Sequence, residues 1–282
     1  MANEAKASDS ELRDLSGTLV LVGAGKMGSA MLEGWFGLGL DPGRVLVLEP
    51  EPSAEVTALA ARGVRLNSQA GEQEPAAVIV LAVKPQIGAQ VLSGLAPFVG
   101  PSTLVVSIMA GRTLRFLSEA LPPGAAIVRA MPNTPASIGR GITVAVKNAA
   151  VSATQRNLAH RLLAATGGIE WIADEALLDA VTAVSGSGPA YVFLLAESLT
   201  RAGVAAGLPA KLAARLALET VAGSGELLRR SGLDPATLRE NVTSPGGTTA
   251  AALNVLMASD GLGRLMEAAI AAATRRSREL GS

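Results

Sequence analysis

The chain has no cysteine, which removes disulfides, thiolate metal sites and a thiol nucleophile together and agrees with a reducing compartment. Its single histidine, His160, argues against a histidine-based metal centre and against a serine–histidine–aspartate triad. Within "NLAHRLLAATG" it reads as a packing or surface residue. Aromatic residues make up 2% of the chain, so a large core must be built from small aliphatic side chains. Neither sign of charge dominates: Lys plus Arg and Asp plus Glu each number 24, with no long block of either. No electrostatic footprint for nucleic acid or an anionic membrane is present. The longest apolar runs, such as "AAVIVLAV", fall short of the ~18 residues of a membrane span. The polar, acid-bearing start "MANEAKASDSELRDLSG" lacks the basic end and apolar run of a signal peptide, and residues 1–16 are expected to be a disordered tail. The expected setting is the cytoplasm, with a small molecule and further copies of the chain as partners, and no nucleic acid, membrane or metal.

A change of pattern near residue 174 divides what remains. Before it, "TLVLVG", "RVLVLE", "AVIVLAV", "TLVVSI", "AIVRAM", "GITVAV" and "IEWIA" read as strands, mostly separated by segments of helical apolar spacing. Strands that are apolar throughout and alternate with helices imply a parallel sheet covered on both faces. Residues 17–174 are therefore expected to form an α/β, Rossmann-type doubly wound domain. Beyond it no strand pattern remains, and helices are expected over 175–184, 189–206, 209–230, 235–241, 248–257 and 260–280. Pro189, Pro209 and Pro235 fall in first-turn positions, where a missing N–H costs nothing. "PAYVFLLAESL" and "LAARLALETVAGSG" are apolar nearly all round, so they need burial on most faces. A segment of this length can hardly bury them alone, so residues 175–282 are expected to be an all-α domain that interlocks with its copy in a homodimer.

The first strand runs into "GAGKMG", Gly23, Ala24, Gly25, Lys26, Met27 and Gly28, at the spacing G-x-G-x-x-G, with a helix following. Such glycines allow a tight turn, close approach of a pyrophosphate, and close helix-to-strand contact, while the helix N-terminus attracts the anion. The motif alone is weak in a chain holding 31 glycines; its place after a strand and at the start of a helix is what favours dinucleotide binding over a structural turn. Glu49 closes the second strand at roughly the ~20-residue separation expected for an acid on the adenosine ribose. A carboxylate there accepts from ribose hydroxyls and repels a 2′-phosphate, so Glu49 favours NADH over NADPH, although it could be a solvated acid and Arg44 or Arg62 could swing toward a phosphate. Ligands of such sheets bind at the carboxyl ends of the strands. That points to Ala82, Val83, Lys84 and Pro85 in "AVKPQ", to Met109 and Ala110 in "SIMAG", and to "RAMPNTPASIGRG" as a wall of the nicotinamide pocket.

Two glycine-rich loops interrupt the helical half, "SGSGPA" and "ENVTSPGGTT", and each immediately precedes a helix. Each therefore offers free backbone N–H groups and the positive end of a helix dipole, which can hold a carboxylate without arginine. N-capping is the plainer reading of either loop by itself; two of them among apolar helices, one with consecutive glycines, favour substrate binding.

The motifs "VGAGKMG", "LAVKPQ", "RAMPNTPA", "DAVTAVSGSGPAYVF" and "LRENVTSPGGTT", in this order and spacing, resemble the pyrroline-5-carboxylate reductases from about Leu19 onward. The resemblance implies reduction of the cyclic imine of 1-pyrroline-5-carboxylate to L-proline by hydride from NADH or NADPH, the last step of proline synthesis. It also implies a helical dimerisation domain, a site completed across the dimer, and a dimer or a decamer of dimers. Carried over by motif, Thr249 hydrogen-bonds the ring nitrogen as the catalytic residue. Ser244, Gly246, Gly247, Thr248 and Thr249 hold the carboxylate, and Asn241 and Glu175 lie near cofactor and substrate, though Glu175 could equally be a helix-start acid. "LEPEPS" departs from the polar or basic cluster that suits a 2′-phosphate in many members, which puts NADPH preference in doubt and leaves the reaction untouched. Alternatives are another cyclic imine reductase, a β-hydroxyacid dehydrogenase-like enzyme, which would need a lysine that "SGSGPAYVFLLAESL" lacks, or a nucleotide sensor without activity.

Overall fold

The computed structural model describes residues 11–68 and 75–281 and divides into two compact units, Met1–Gly186 with Thr274–Ser282, and Ser187–Ala273. In the first unit the described residues form an eight-stranded sheet of order β3-β2-β1-β4-β5-β6-β7-β8. The strands are β1 (Leu19–Val22), β2 (Val45–Leu48), β3 (Arg65–Leu66), β4 (Val78–Leu81), β5 (Leu104–Ser107), β6 (Ala126–Met131), β7 (Gly141–Lys147) and β8 (Gly167–Trp171). Successive side chains of a strand point to opposite faces, and here both faces are covered. Leu19, Leu21, Val78, Val80, Leu104 and Val106 enter one core, while Val20, Val22, Ile79, Leu81 and Val105 enter the other. Uninterrupted apolar runs are therefore what these strands require. Helix α1 (Lys26–Gly37) covers the first core with Met31, Leu32 and Trp35, one stripe of a 3.6-residue period. The Trp35 indole donates to the Leu162 carbonyl at 2.8 Å, within α5 (Ala153–Ala164) on the same face. Between them lie α2 (Ala54–Ala58), α3 (Gly88–Ser93) and α4 (Leu114–Ala120).

Four expectations change. The sheet is parallel except between β6 and β7, which pair antiparallel. Residues 132–140 between them are too few for the crossover a parallel pair needs, about a dozen residues or more, and the chain turns back through a 3-10 turn at Thr134–Ile138. Strand β3 is too short and too polar for its pattern to be visible. Of the expected tail, residues 1–10 lie outside the described residues, but Leu12 and Leu15 are buried in the first core, joined by a turn in which the Leu15 N–H donates to the Leu12 carbonyl at 3.2 Å. The expected loop at "SGSG" is instead a π-helical turn, Thr182–Gly186, that continues α6 (Leu178–Val181). The division between the compact units falls after Gly186. The last residues of the chain also belong to the first unit: the Ser277 hydroxyl donates to Asp179 at 2.6 Å.

The second unit is helical throughout its described residues: α7 (Gly188–Ala205), α8 (Ala210–Ser231), α9 (Pro235–Asn241), α10 (Thr248–Leu256) and α11 (Leu262–Gly281), the last running on into the residues grouped with the first unit. Helices α7 and α8 form a hairpin, turned by Gly207 at φ +99°, and Gly203 lets α7 approach Ala213 closely. Among the described residues of this unit only Ala213 and Ala217 are buried. Phe193 is 67% exposed, Leu218 62% and Val255 72%. The segment Glu175–Ala205, π turn included, is long and apolar enough by length and composition to cross a membrane, although no uninterrupted apolar run reaches that length.

Candidate active site

The carboxyl ends of β1, β2 and β4 open on a cleft of about 800 Å³, lined among others by Gly23, Gly25, Glu49, Ala82, Val83 and Lys84. This is the crevice at which open α/β sheets bind nucleotides, and the three glycines of "GAGKMG" each meet a separate demand there. Gly23 has φ +90°, and a Cβ on it would press the Ala82 carbonyl oxygen at 2.8 Å. A Cβ on Gly28 would collide with the Gly23 carbonyl oxygen, so the helix lies close to the strand only because Gly28 has no side chain. Gly25 is the N-cap of α1, and a Cβ there would meet nothing within 4 Å. Its face is open toward the cleft, where an incoming pyrophosphate needs the backbone uncovered. Helix α1 has no side-chain cap and no acid in its first turn, leaving its first N–H groups and its dipole for an anion. These residues fit a dinucleotide.

Glu49 lies at the end of β2, and its carboxylate is already engaged. Oε2 accepts from the Ala24 N–H at 2.9 Å and Oε1 from the Glu51 N–H at 3.3 Å. Asn67, which the sequence did not single out, lines the same cleft. Its side chain accepts from the Glu49 N–H and donates to the Glu49 carbonyl, both at 2.8 Å. An isolated polar residue after a two-residue strand carries no pattern that could have revealed it. Arg62, a candidate phosphate ligand, has its guanidinium stacked on the Phe36 ring, 4.7 Å from the centroid.

Lys84 precedes a 3-10 turn, Pro85–Ile87, that is tied down by Arg112. Nε and Nη2 of Arg112 donate to the Pro85 carbonyl at 3.0 and 2.9 Å, and the same guanidinium stacks on Phe116. Arg112 is a second residue missed from the sequence, where it followed "SIMAG" as one more surface cation. Met109 is buried, with Sδ close to Gly88, so it supports the floor beneath the cleft. Ala24, Lys26, Met27, Pro85 and Ala110 are not among the lining residues. Asn133 accepts from the Ile142 N–H at 2.9 Å and so holds the "MPNTP" turn against β7.

Glu175 is committed elsewhere. Its Oε1 accepts from buried Arg129 at 2.6 Å and from the Leu114 N–H at 2.8 Å, the first residue of α4. A carboxylate so held ties β6 and α4 to the start of the helical segment. The structure thus gives Glu175 the helix-start and ion-pair bonds that the sequence left open as an alternative, both on Oε1.

In the second unit, Ser244, Pro245, Gly246 and Gly247 form a four-residue turn in which the Gly247 N–H donates to the Ser244 carbonyl at 3.0 Å. Proline in the second position and Gly246 at φ +70° in the third are the signature of a type II turn; a side chain at 246 would be strained. Gly247 then caps α10 without any side-chain cap hydrogen bond, so the first N–H groups of that helix keep their donors. Thr248 and Thr249 occupy the first turn, and Asn241 ends the preceding helix α9, which Asp234 caps through Ala236 N, Thr237 N and the Thr237 hydroxyl. These bonds, the Thr237 hydroxyl foremost, hold the Asp234 carboxyl below the usual carboxylate range. Among the described residues no group of three or more His, Cys, Asp or Glu could hold a metal ion.

Comparison with known proteins agrees with this layout. Residues 175–280 match a family described as pyrroline-5-carboxylate reductase dimerisation, and residues 18–111 match one described as NADP oxidoreductase, coenzyme F420-dependent. The pyrroline-5-carboxylate reductase of Pseudomonas aeruginosa is 42% identical over 93% of this chain and 96% of its own length, and that of Pisum sativum 39% over the same shares. Among solved structures, the pyrroline-5-carboxylate reductase of Coxiella burnetii superposes with TM-score 0.87 at 33% identity, covering 95% of this chain and 100% of that one. The pyrroline carboxylate reductase of Plasmodium falciparum with NADP bound gives 0.80 at 32% identity, covering 95% and 99%. With an ordered nucleotide cleft, an uncapped "SPGGTT" turn and relatives of this identity along nearly its whole length, the chain belongs to the pyrroline-5-carboxylate reductase family.

Proposed function

We propose that the protein reduces 1-pyrroline-5-carboxylate to L-proline with NADH as its preferred cofactor. The observation that carries the substrate half of this reading is the 244–249 turn: a type II turn, requiring glycine at 246, that opens a helix with uncapped N–H groups and a threonine hydroxyl in its first turn. Backbone N–H groups at a helix start bind a carboxylate through hydrogen bonds and the dipole together. Ser244, Gly247 and Thr248 hold the substrate carboxylate there, and the Thr249 hydroxyl hydrogen-bonds the ring nitrogen. Asn241, at the end of the preceding helix, lies near the cofactor.

The nicotinamide cofactor, when bound, supplies the hydride that adds to the imine carbon. The chain's own contribution is orientation. The cleft around Gly23, Gly25, Ala82 and Val83 receives the dinucleotide, Arg112 fixes the Lys84–Pro85 turn, and Glu49 accepts from ribose hydroxyls. A cyclic imine is far more basic than a ketone, so the ring nitrogen enters protonated or takes a proton from water or a hydroxyl, and no histidine is needed. One hydride and one proton per imine give L-proline and the oxidised cofactor. Alignment of reacting atoms can itself supply much of the rate.

The exposed apolar faces of α7, α8 and α10 find their cover in a second copy, so a homodimer is the smallest functional form, and a decamer of dimers is the larger assembly that the family resemblance implies. The test is oxidation of NADH, followed with pyrroline-5-carboxylate and separately with other cyclic imines, and reduction of NAD with hydroxyacids. Turnover with pyrroline-5-carboxylate well above the other substrates supports the proposal; turnover with hydroxyacids alone refutes it.

A further inference from the structure

We infer that Asn67 is a positioning residue for cofactor choice, holding the backbone of Glu49 so that its carboxylate stays fixed at the mouth of the nucleotide cleft. The inference rests on the reading of Glu49 as the acid that selects NADH, and it adds that this acid works only while clamped.

The clamp has two points. The Asn67 side chain accepts from the Glu49 N–H and donates to the Glu49 carbonyl, both at 2.8 Å, as a neighbouring strand would, but at a place where β3 has already ended at Leu66. The Asn67 N–H donates to the Val47 carbonyl at 2.8 Å, so Asn67 is itself anchored to β2. Its φ is +51°, the one left-handed non-glycine residue among those described. Glycine, asparagine and aspartate tolerate that conformation, whereas other residues are strained there.

Fixing Glu49 matters because of what its carboxylate already does. Each oxygen takes one backbone N–H, Oε2 from Ala24 and Oε1 from Glu51. A carboxylate has about four acceptor positions, which leaves capacity for hydroxyl donors on the cleft side. Its negative charge stands against a phosphate, and no cation forms an ion pair with it among the described residues; Arg62 lies on Phe36 instead. An acid free to swing outward would let a 2′-phosphate pass. One held by Asn67 would not.

The test compares wild type, Glu49→Ser and Asn67→Gly, the last removing the amide while keeping the left-handed backbone relaxed. Dissociation constants for NADH and NADPH are measured on the free protein by titration calorimetry, beside steady-state constants with pyrroline-5-carboxylate. Wild type is expected to favour NADH. Glu49→Ser is expected to shrink that preference about tenfold or more, consistent with loss of a charged hydrogen-bonding group. Asn67→Gly is expected to shrink it about three- to tenfold, the scale of one or two exposed hydrogen bonds, through the NADH dissociation constant and KM rather than kcat. A shift in Glu49→Ser with none in Asn67→Gly overturns the clamp and leaves the Glu49 reading standing. Equal weakening of both cofactors in Asn67→Gly makes Asn67 merely structural and also overturns it. No shift in Glu49→Ser, or a wild type that prefers NADPH, overturns the Glu49 reading itself.

Discussion

Leu19, Val20, Leu21, Ile79 and Val105 have no exposed surface in the first unit, while Phe193, Leu218 and Val255 of the second have well over half of theirs exposed. The two regions use the same aliphatic side chains, but the first closes its core within one chain, with helices on both faces of a sheet, and the second leaves its helices apolar on faces that nothing in its own unit covers. An apolar surface of that extent marks an interface. The first unit therefore has the character of a self-sufficient body with its own cleft, and the second that of half an interface carrying the uncapped 244–249 turn.

The sharpest way to break this contrast is to charge the second unit's surface. Phe193→Asp places a carboxylate where a second copy would bury it, at a cost of several kcal/mol for an unpaired charge. It should abolish assembly and reduce activity by about a hundredfold or more, while cofactor binding by the first unit persists; sedimentation and NADH titration read the two effects separately. The complementary change, Trp35→Ala, should cost about 3–5 kcal/mol of stability in denaturant unfolding, with the oligomeric state of the folded fraction unchanged. At the 244–249 turn, Thr249→Ala should lower turnover by no more than about a thousandfold, the usual span for a positioned acid–base group; complete loss with the fold intact would make Thr249 an obligatory proton donor. Gly246→Ala, which forces a side chain to φ +70°, should raise KM for the imine a fewfold through about 1 kcal/mol of strain, with the KM for NADH unmoved.

The smallest effect belongs to the first unit's N-terminal segment. Asp14 is paired with Arg161, whose hydrogen bond holds the Asp14 carboxyl below its usual range. Because the folded-state pKa is depressed, the pair stabilises the protein above the carboxyl's unfolded pKa and ceases to do so as pH falls through the lowered folded value. Asp14 is exposed, so Asp14→Asn should cost only about 0.2–1 kcal/mol at neutral pH. In acid, the difference between variant and wild type should vanish.

Legibility followed the range of the interactions involved. The apolar strand runs and the helices over 188–205, 210–231 and 235–241 could be read because burial imposes a period on neighbouring residues. The glycines at 23, 25, 28 and 246 could be read because a conformation or a close approach permits little else. What stayed hidden depends on partners far apart in the chain. Arg129 meets Glu175, Asn67 meets Glu49 and Arg112 meets Pro85, and no local pattern marks such pairs. The antiparallel step from β6 to β7 was legible in principle, since the "MPNTPASIGR" connection is too short for a crossover, but apolar strands look alike in either direction.

The central claim is that the second unit is completed by another copy of the chain. Measuring solution mass and specific activity together on the wild-type protein, across a dilution from micromolar to low nanomolar, tests it most directly. Twice the chain mass, or a multiple of that, is expected wherever the enzyme is active, with activity lost as the mass falls. A monomer that remains folded and fully active would contradict it.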